Sequence, residues 1–358
     1  MELLPFETCY SGRRVAVTGH TGFTGGWLCS WLNALGADVS GLSLDPPTDP
    51  NLFTALSLAD KVDSHIGDIR DPGTVERYLA ETKPEIVFHL AAQPIVSAGY
   101  DDPRGTFDTN VMGTLNVLEA ARHQAETKAA VCITTDKVYR NNEWEWGYRE
   151  VDPLGGTDPY SASKSACEMV VHTYQHALAP RGNGMLIAAA RGGNIIGGGD
   201  WADNRIVPDF VRASIAGESL VLRNPDATRP WQHVLALVHG YMMVGSRLMD
   251  GDAEIADAWN FGPSGEGEKT VGTLVAALRE SWPGVDLDFK TPDFKESHFL
   301  HLSSEKAHKR LGWEPGLDFD GTVRWTADWY REFHSGSDAV ALTDGQIEAY
   351  RARIGQTA

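Results

Sequence analysis

The sequence predicts an α/β fold: a doubly wound parallel sheet with a smaller α+β region toward the C-terminus. Three observations predict it. Short runs at 13–19, 38–45, 63–69, 85–92, 129–136 and 184–193 alternate with helical patterns through the first half of the chain. Most of those runs hold a continuous apolar stretch ("VAV", "IVF", "AAVCI", "MLIAAA"), as strands covered on both faces require. Glycines 19, 22 and 25 fall at the first strand-to-helix turn, where a sharp turn and a close backbone approach to a phosphate leave no room for a Cβ.

The elements follow in order. "RRVAVTG" (13–19) is the first strand, and Trp27, Leu28, Trp31, Leu32 and Leu35 then recur at helical spacing until Gly36. "DVSGLSLD" (38–45), "DSHIGDI" (63–69) and "EIVFHLAA" (85–92) are the next three strands. "NVMGTLNVLEAARHQ" is a helix with Val111, Leu115, Leu118 and Ala121 on one face. "AAVCITTD" (129–136) is the fifth strand, a long helix covers 160–178, and "GMLIAAARGG" (184–193) is the sixth strand. Beyond about residue 194, Gly, Asn, Pro and Arg become frequent, as in "GGNIIGGGDW" and "LRNPDATRPW". This loop-rich part is placed to close over the carboxyl edge of the sheet. Residues 1–193 therefore form a Rossmann-type dinucleotide-binding domain, with a segment near 231–262 ("WNFGP" at its end) returning a strand to it, and 194–230 with 263–358 form the smaller substrate-binding domain. The tail "DGQIEAYRARIGQTA" reads as a terminal helix that frays.

Composition excludes several functions. Of the 358 residues 31 are Lys or Arg and 49 are Asp or Glu, a net charge of −18. So acidic a chain is unsuited to non-specific binding of nucleic acid or anionic membranes, and an anionic ligand must be met by a local gathering of basic groups. The four cysteines (Cys9, Cys29, Cys132, Cys167) have no CxxC spacing and read as thiols in a reducing compartment. The opening residues lack a basic stretch followed by an apolar one, and no run approaches the ~18 apolar residues of a membrane span. A cytoplasmic protein is expected. No His, Asp and Glu cluster has metal-ligand spacing, so no metal is expected.

The glycine turn predicts a dinucleotide with its pyrophosphate on the helix N-terminus. Asp45, at the end of the second strand, suits adenosine ribose hydroxyls and repels a 2′-phosphate, which favours NAD over NADP. Asp68 and Ile69 end the third strand, where an adenine edge belongs. Thr21 and Phe23 in the turn, Leu90, Ala91, Ala92 and Gln93 after the fourth strand, and Asn110 are the other candidates facing the cofactor.

Tyr160 and Lys164 are four apart, one helical turn on one face. A free phenol, with pKa about 10, is a poor base near neutrality. A neighbouring ammonium and a nicotinium favour the phenolate, which then takes a hydroxyl proton as hydride leaves the same carbon.

The turn "TGHTGFTGGWL", with "HLAA", "TNVMGT" and the Tyr160–Lys164 spacing in this order, resembles the extended short-chain dehydrogenase/reductase family. "SHIGDIRD", "PEIVFHLAAQP", "TTDKVY", "EWGYRE", "RGGNIIGGGDWA", "RNPDATRPWQHV" and "WNFGP" resemble, within it, the CDP-glucose 4,6-dehydratases of bacterial polysaccharide biosynthesis. The resemblance implies NAD, a nucleotide-sugar substrate and a homodimer paired through two long helices. It also implies that Thr135, Asp136 and Lys137 reach the sugar. Tyr160 takes the C4 proton as C4 is oxidised, the C5 proton becomes acidic beside the ketone, Asp136 protonates the departing C6 hydroxyl, and hydride returns to C6. Thr135 orients the C4 oxygen. Lys137 stands where the related TDP-glucose enzymes place a glutamate; it is either a neutral base at C5 or an ammonium that stabilises the enolate.

On the substrate side, Arg229 resembles the family's diphosphate-binding arginine, whose planar fork suits paired phosphate oxygens. Arg223, Arg205, Asn194 and Gln93 are further candidates. Glu296 and His298 match a sugar-nucleotide segment, although Ser303 departs from the aspartate often found there. Trp144, Trp146 and Tyr148 either pack their loop onto the domain or wall the sugar pocket. CDP rests on the whole-chain likeness, and TDP, GDP and UDP remain open. A 4-epimerase needs no acid at C6, and a non-catalytic NAD-binding regulator has no need of Tyr160 or Lys164.

Overall fold

The computed structural model describes residues 3–263, 268–290 and 300–356. Strands β1 (Arg14–Thr18), β2 (Asp38–Ser43), β3 (Asp63–Ile66), β4 (Ile86–His89), β5 (Ala129–Ile133), β6 (Leu186–Arg191) and β7 (Ala258–Asn260) form one seven-stranded sheet in the order β7-β6-β5-β4-β1-β2-β3. Every pairing in it is parallel. The order reverses between β1 and β4, which opens a crevice at their carboxyl ends where ligands bind in such sheets.

Alternation along the strands explains the two layers. Val15, Val17, Ile86, Phe88, Ala129 and Val131 face one core. Ala16, Val87, Ala130 and Cys132 face the other. The first face is covered by α1 (Phe23–Ala34), α6 (Val234–Met249) and the C-terminal helices α8 (Phe319–His334) and α9 (Ala339–Ile354). The second is covered by α2 (Pro72–Thr82), α3 (Gly113–Arg122) and α4 (Pro159–Thr173). Caps mark the ends: Asp158 accepts from the Ser161 amide before α4, and Asp318 from that of Gly321 before α8. The smaller region holds α5 (Ile206–Ala216), α7 (Val271–Ser281) and three two-stranded sheets, 195–196 with 232–233, 228–230 with 268–270, and 220–222 with 287–289.

The returning strand predicted near 259 is β7, paired to β6. Three expectations need adjustment. The fifth strand ends at Ile133, and Asp136–Val138 form a 3₁₀ turn whose start is fixed by the Thr135 hydroxyl accepting from the Lys137 amide at 3.3 Å. The helices at 113 and 159 are each joined to a π-helical turn, Asp108–Met112 before α3 and Tyr174–Leu178 after α4. The C-terminal helix does not fray before residue 354: its Ile347, Tyr350 and Ile354 are buried, Tyr350 packs edge-on against Trp31 of α1, and Arg351 forks onto the buried Glu7 at 2.6 and 2.7 Å. Charge pattern alone hid this, because the partner lies at the other end of the chain.

Among the described residues no helix is long and apolar enough to cross a membrane. All four cysteines are free thiols.

Candidate active site

The glycine turn sits at the crevice. Gly19 has φ +80°, and a Cβ on it would lie 2.8 Å from the Ala91 nitrogen. A Cβ on Gly25 would lie 2.2 Å from the Gly19 carbonyl oxygen, and one on Gly22 3.3 Å from it. The turn is therefore a bare backbone cradle opening α1, whose N-terminal amides suit a pyrophosphate. The Thr21 hydroxyl is spent on the protein, with the Ser43 hydroxyl at 2.8 Å and the Leu44 carbonyl at 2.9 Å, so it braces the turn against β2. Phe23 opens α1 and faces Gly197 of the loop after β6. Asp45 is exposed just past β2, free to meet a ribose. Asp68 is forked by Arg70 at 2.8 and 2.6 Å, which holds its carboxyl below the usual range. Ile69 turns into the core beneath α3, and its carbonyl accepts from Asn116 at 2.9 Å. Of that pair only Asp68 keeps its side chain out of the core.

Leu90, Ala91 and Ala92 leave β4 half-buried along the same crevice. Gln93 and Asn110 are locked together: the Gln93 amide donates to Asn110 Oδ1 at 2.8 Å, while Gln93 Nε2 donates to the Thr106 hydroxyl at 2.9 Å. Asn110 Nδ2 also reaches the Ser163 hydroxyl on α4 at 2.8 Å. This fastening leaves Gln93 as a brace of the pocket wall. The set fits a dinucleotide on two grounds, the cradle that any Cβ would fill and the exposed acid one strand away. Sequence reasoning missed His20. Its ring is wholly buried over Gly41 and bonded to the Ser64 hydroxyl at 2.7 Å, and burial pushes its pKa down to about 4, keeping it neutral beside the phosphate site.

At the end of β5 the predicted cluster assembles. Burial pushes the Tyr160 hydroxyl up to about 12, opposed by a hydrogen bond with Thr135 and aided by the Asp136 charge, while the Arg205 charge pulls it down. The Thr135 hydroxyl donates to Asp136 Oδ1 at 2.9 Å, and Asn194 Nδ2 donates to Asp136 Oδ2 at 3.1 Å. Asp136 is 1% exposed, and a Cβ on Gly193 would lie 2.3 Å from its Oδ1. Lys137 is half-buried next to it. Lys164 Nζ donates to the Ile133 carbonyl at 3.0 Å, tying α4 to β5. Burial thus outweighs the Arg205 charge, and the phenol of Tyr160 stands above its ordinary value.

The basic candidates divide. Arg205, before α5, donates to Asp200 Oδ2 at 2.9 Å, while the Tyr330 hydroxyl donates to the Asp200 carbonyl. Arg205 thus brings charge to Tyr160 directly. Arg229 lies on the short strand 228–230 and is half-buried. Arg223 is exposed beyond the strand 220–222. His298 and Glu296 lie outside the described residues. His233 and His239 are buried and pushed to about 3 by burial, so both are neutral core residues. Among the described residues no three His, Cys, Asp or Glu side chains converge as metal ligands. In the aromatic loop Tyr148 stacks on Tyr139 at 5.1 Å and 17°, with Trp144 packed behind it, whereas Trp146 is 66% exposed. The loop packs through Trp144 and Tyr148, and Trp146 stands edge-on to Trp144 at 6.0 Å. Asp200 and Gly193 were also missed from the sequence; the run of glycines around them is the one signal that backbone there must sit close to something.

Comparison with known proteins places these features. The chain is 43% identical to the CDP-glucose 4,6-dehydratase of Salmonella typhimurium, over 95% of this chain and 97% of that one. It is 28% identical to a dTDP-glucose 4,6-dehydratase of Xanthomonas campestris, over 88% and 92%. Among solved structures, DesIV, a dTDP-glucose 4,6-dehydratase from Streptomyces venezuelae with NAD and TYD bound, superposes with TM-score 0.76 at 25% identity, over 91% of this chain and 99% of that one. The family model for GDP-mannose 4,6 dehydratase matches residues 16–326, and this chain belongs to that family of nucleotide-sugar dehydratases and epimerases.

Proposed function

We propose that the chain converts CDP-glucose to CDP-4-keto-6-deoxyglucose and water, a redox-neutral 4,6-dehydration with NAD as resident cofactor. The likeness to the Salmonella CDP-glucose 4,6-dehydratase over 95% of the chain carries this reading. When bound, NAD accepts hydride from C4 of the sugar and gives it back at C6. The protein supplies the rest. Tyr160 Oη removes the C4 hydroxyl proton, with the Arg205 charge working against the burial that raises its pKa. Thr135, between Tyr160 and Asp136, orients the C4 oxygen. The buried Asp136 carboxyl is placed to hand a proton to the leaving C6 hydroxyl, and the wall around it keeps water from competing. Lys137, beside Asp136, is placed to take the C5 proton, to hold the enolate with the charge so gained, and to return the proton to C5 as hydride arrives at C6.

The glycine cradle takes the cofactor pyrophosphate and Asp45 its adenosine ribose, while Arg229 and Arg205 take the substrate diphosphate. We further infer a homodimer, supported by exposed Phe107, Met112 and Met169 on the 103–122 and 159–173 helices, and a cytoplasmic location, supported by four free thiols. The test is incubation of purified protein with CDP-, TDP-, GDP- and UDP-glucose. A 4-keto-6-deoxy product from CDP-glucose without net NADH is the expected result. C4-inverted sugar alone makes the chain an epimerase, and tight NAD binding without turnover makes it a regulator.

A further inference from the structure

Behind the reacting cluster lies an ion pair to which no step above assigns a role. Glu168 and Arg191 are each 4% exposed. Arg191 Nε and Nη2 fork onto the two Glu168 oxygens at 2.8 and 2.9 Å. The Thr134 hydroxyl donates to Glu168 Oε1 at 2.6 Å. Arg191 Nη1 goes on to the Tyr139 hydroxyl at 2.7 Å, which donates to Asn260 Oδ1 of β7 at 2.7 Å.

We propose that Glu168 and Arg191 are positioning residues that set Thr135 and Asp136 against Tyr160. The proposal rests on the dehydratase reading for what those three residues do. Its geometry does not. Thr134 immediately precedes Thr135. Arg191 immediately precedes Gly192, whose carbonyl accepts from the Asp136 amide at 3.3 Å, and then Gly193 and Asn194, which enclose the Asp136 carboxyl. Glu168 is one turn beyond Lys164 on α4, on the face that carries Tyr160. One carboxylate therefore joins the three pieces of backbone whose relative position defines the site: the end of β5, the end of β6, and α4.

Stability does not explain the pair. A buried ion pair gives little or no net stability over apolar side chains of similar volume, although removing one partner alone is costly. What it supplies is a fixed orientation, because the planar fork matches a carboxylate in one arrangement. Loosened by an ångström, the Thr135–Asp136 segment loses about a hundredfold in rate without any contact to the sugar having been removed.

Two variants of the NAD-loaded enzyme test this. Glu168→Met with Arg191→Met removes both charges together, so neither is stranded. Thr134→Val cuts only the link from β5 to the pair. Both are expected to bind NAD as the parent does and to keep KM for CDP-glucose, while kcat falls by about tenfold or more. By hydrogen exchange, the Thr134 and Asp136 amides, bonded to the Ala190 and Gly192 carbonyls, are expected to open about tenfold faster. Parental kcat and parental exchange in Thr134→Val overturn the proposal, as does a folded double variant with parental kcat. If the double variant does not fold, Thr134→Val decides. If the parent fails to turn over CDP-glucose, the functional reading fails, and the exchange rates still decide whether the pair holds the segment.

Discussion

Asn194 Nδ2 donates to Asp136 Oδ2 at 3.1 Å, a bond that crosses from the loop after β6 to the end of β5. Asn194 holds it from a left-handed conformation, φ +50°, and the residue before it can carry no side chain because Asp136 occupies that space. The carboxyl is thus boxed in by Gly193, Asn194 and Thr135. Gly193→Ala is expected to displace Asp136 and lower kcat by about a hundredfold while NAD stays bound. Steady-state rates beside a cofactor titration check this, and unchanged kcat would show that the carboxyl has no fixed task.

Asp136→Asn keeps the shape and removes the proton. Turnover should fall by about a hundredfold or more, with reduced nicotinamide accumulating on the protein because C4 oxidation proceeds and water loss does not. Absorbance during a single turnover measures it.

Tyr160→Phe should abolish sugar oxidation and leave NAD affinity unaltered. In the parent, burial raises the phenol pKa to about 12. The basic form therefore grows about tenfold with each pH unit below that value. The rate of C4 oxidation must rise with pH, to a plateau set by how far bound cofactor and substrate lower the pKa. A rate that falls as pH rises from about 6 to about 9 would remove Tyr160 as the base.

Gly25→Ala places a methyl group 2.2 Å from the Gly19 carbonyl. The turn must shift, costing about 2 kcal/mol and so about thirtyfold in the Kd for NAD. Calorimetric titration reads it directly.

Glu7 accepts from Arg351 Nε and Nη2 and from Trp31 Nε1 at 2.6, 2.7 and 2.9 Å. Glu7→Gln leaves the Arg351 charge without its counter-ion in a largely buried place and should destabilise the fold by about 3 kcal/mol in denaturant titration. NAD affinity of the remaining folded protein should be unaffected.

The sheet was legible because its central strands are buried on both faces and its first turn carries glycine, whereas the edge strand β3, with Asp63 and Ile66 exposed, is marked only by its place in the alternation. Periodicity and backbone sterics are local, so Gly19, Gly25 and the six strands could be read in place. Tyr160 and Asp136 were legible for a related reason, since strand ends and helix turns determine where a side chain emerges. What the sequence did not reveal depends on contacts between distant segments. Glu168 looks like any helical acid until Arg191 is seen against it. Gln93 looked like a substrate ligand, and its amide proved to be engaged by Thr106. Asp200 gave no sign that it would hold Arg205 beside the phenol.

The meeting of Glu7 with Arg351 joins positions 344 residues apart. The first helix therefore lacks part of its cover, the Tyr350 ring against Trp31, until residue 351 has left the ribosome. Nascent chains arrested earlier should remain open to proteases and chaperones around Trp31.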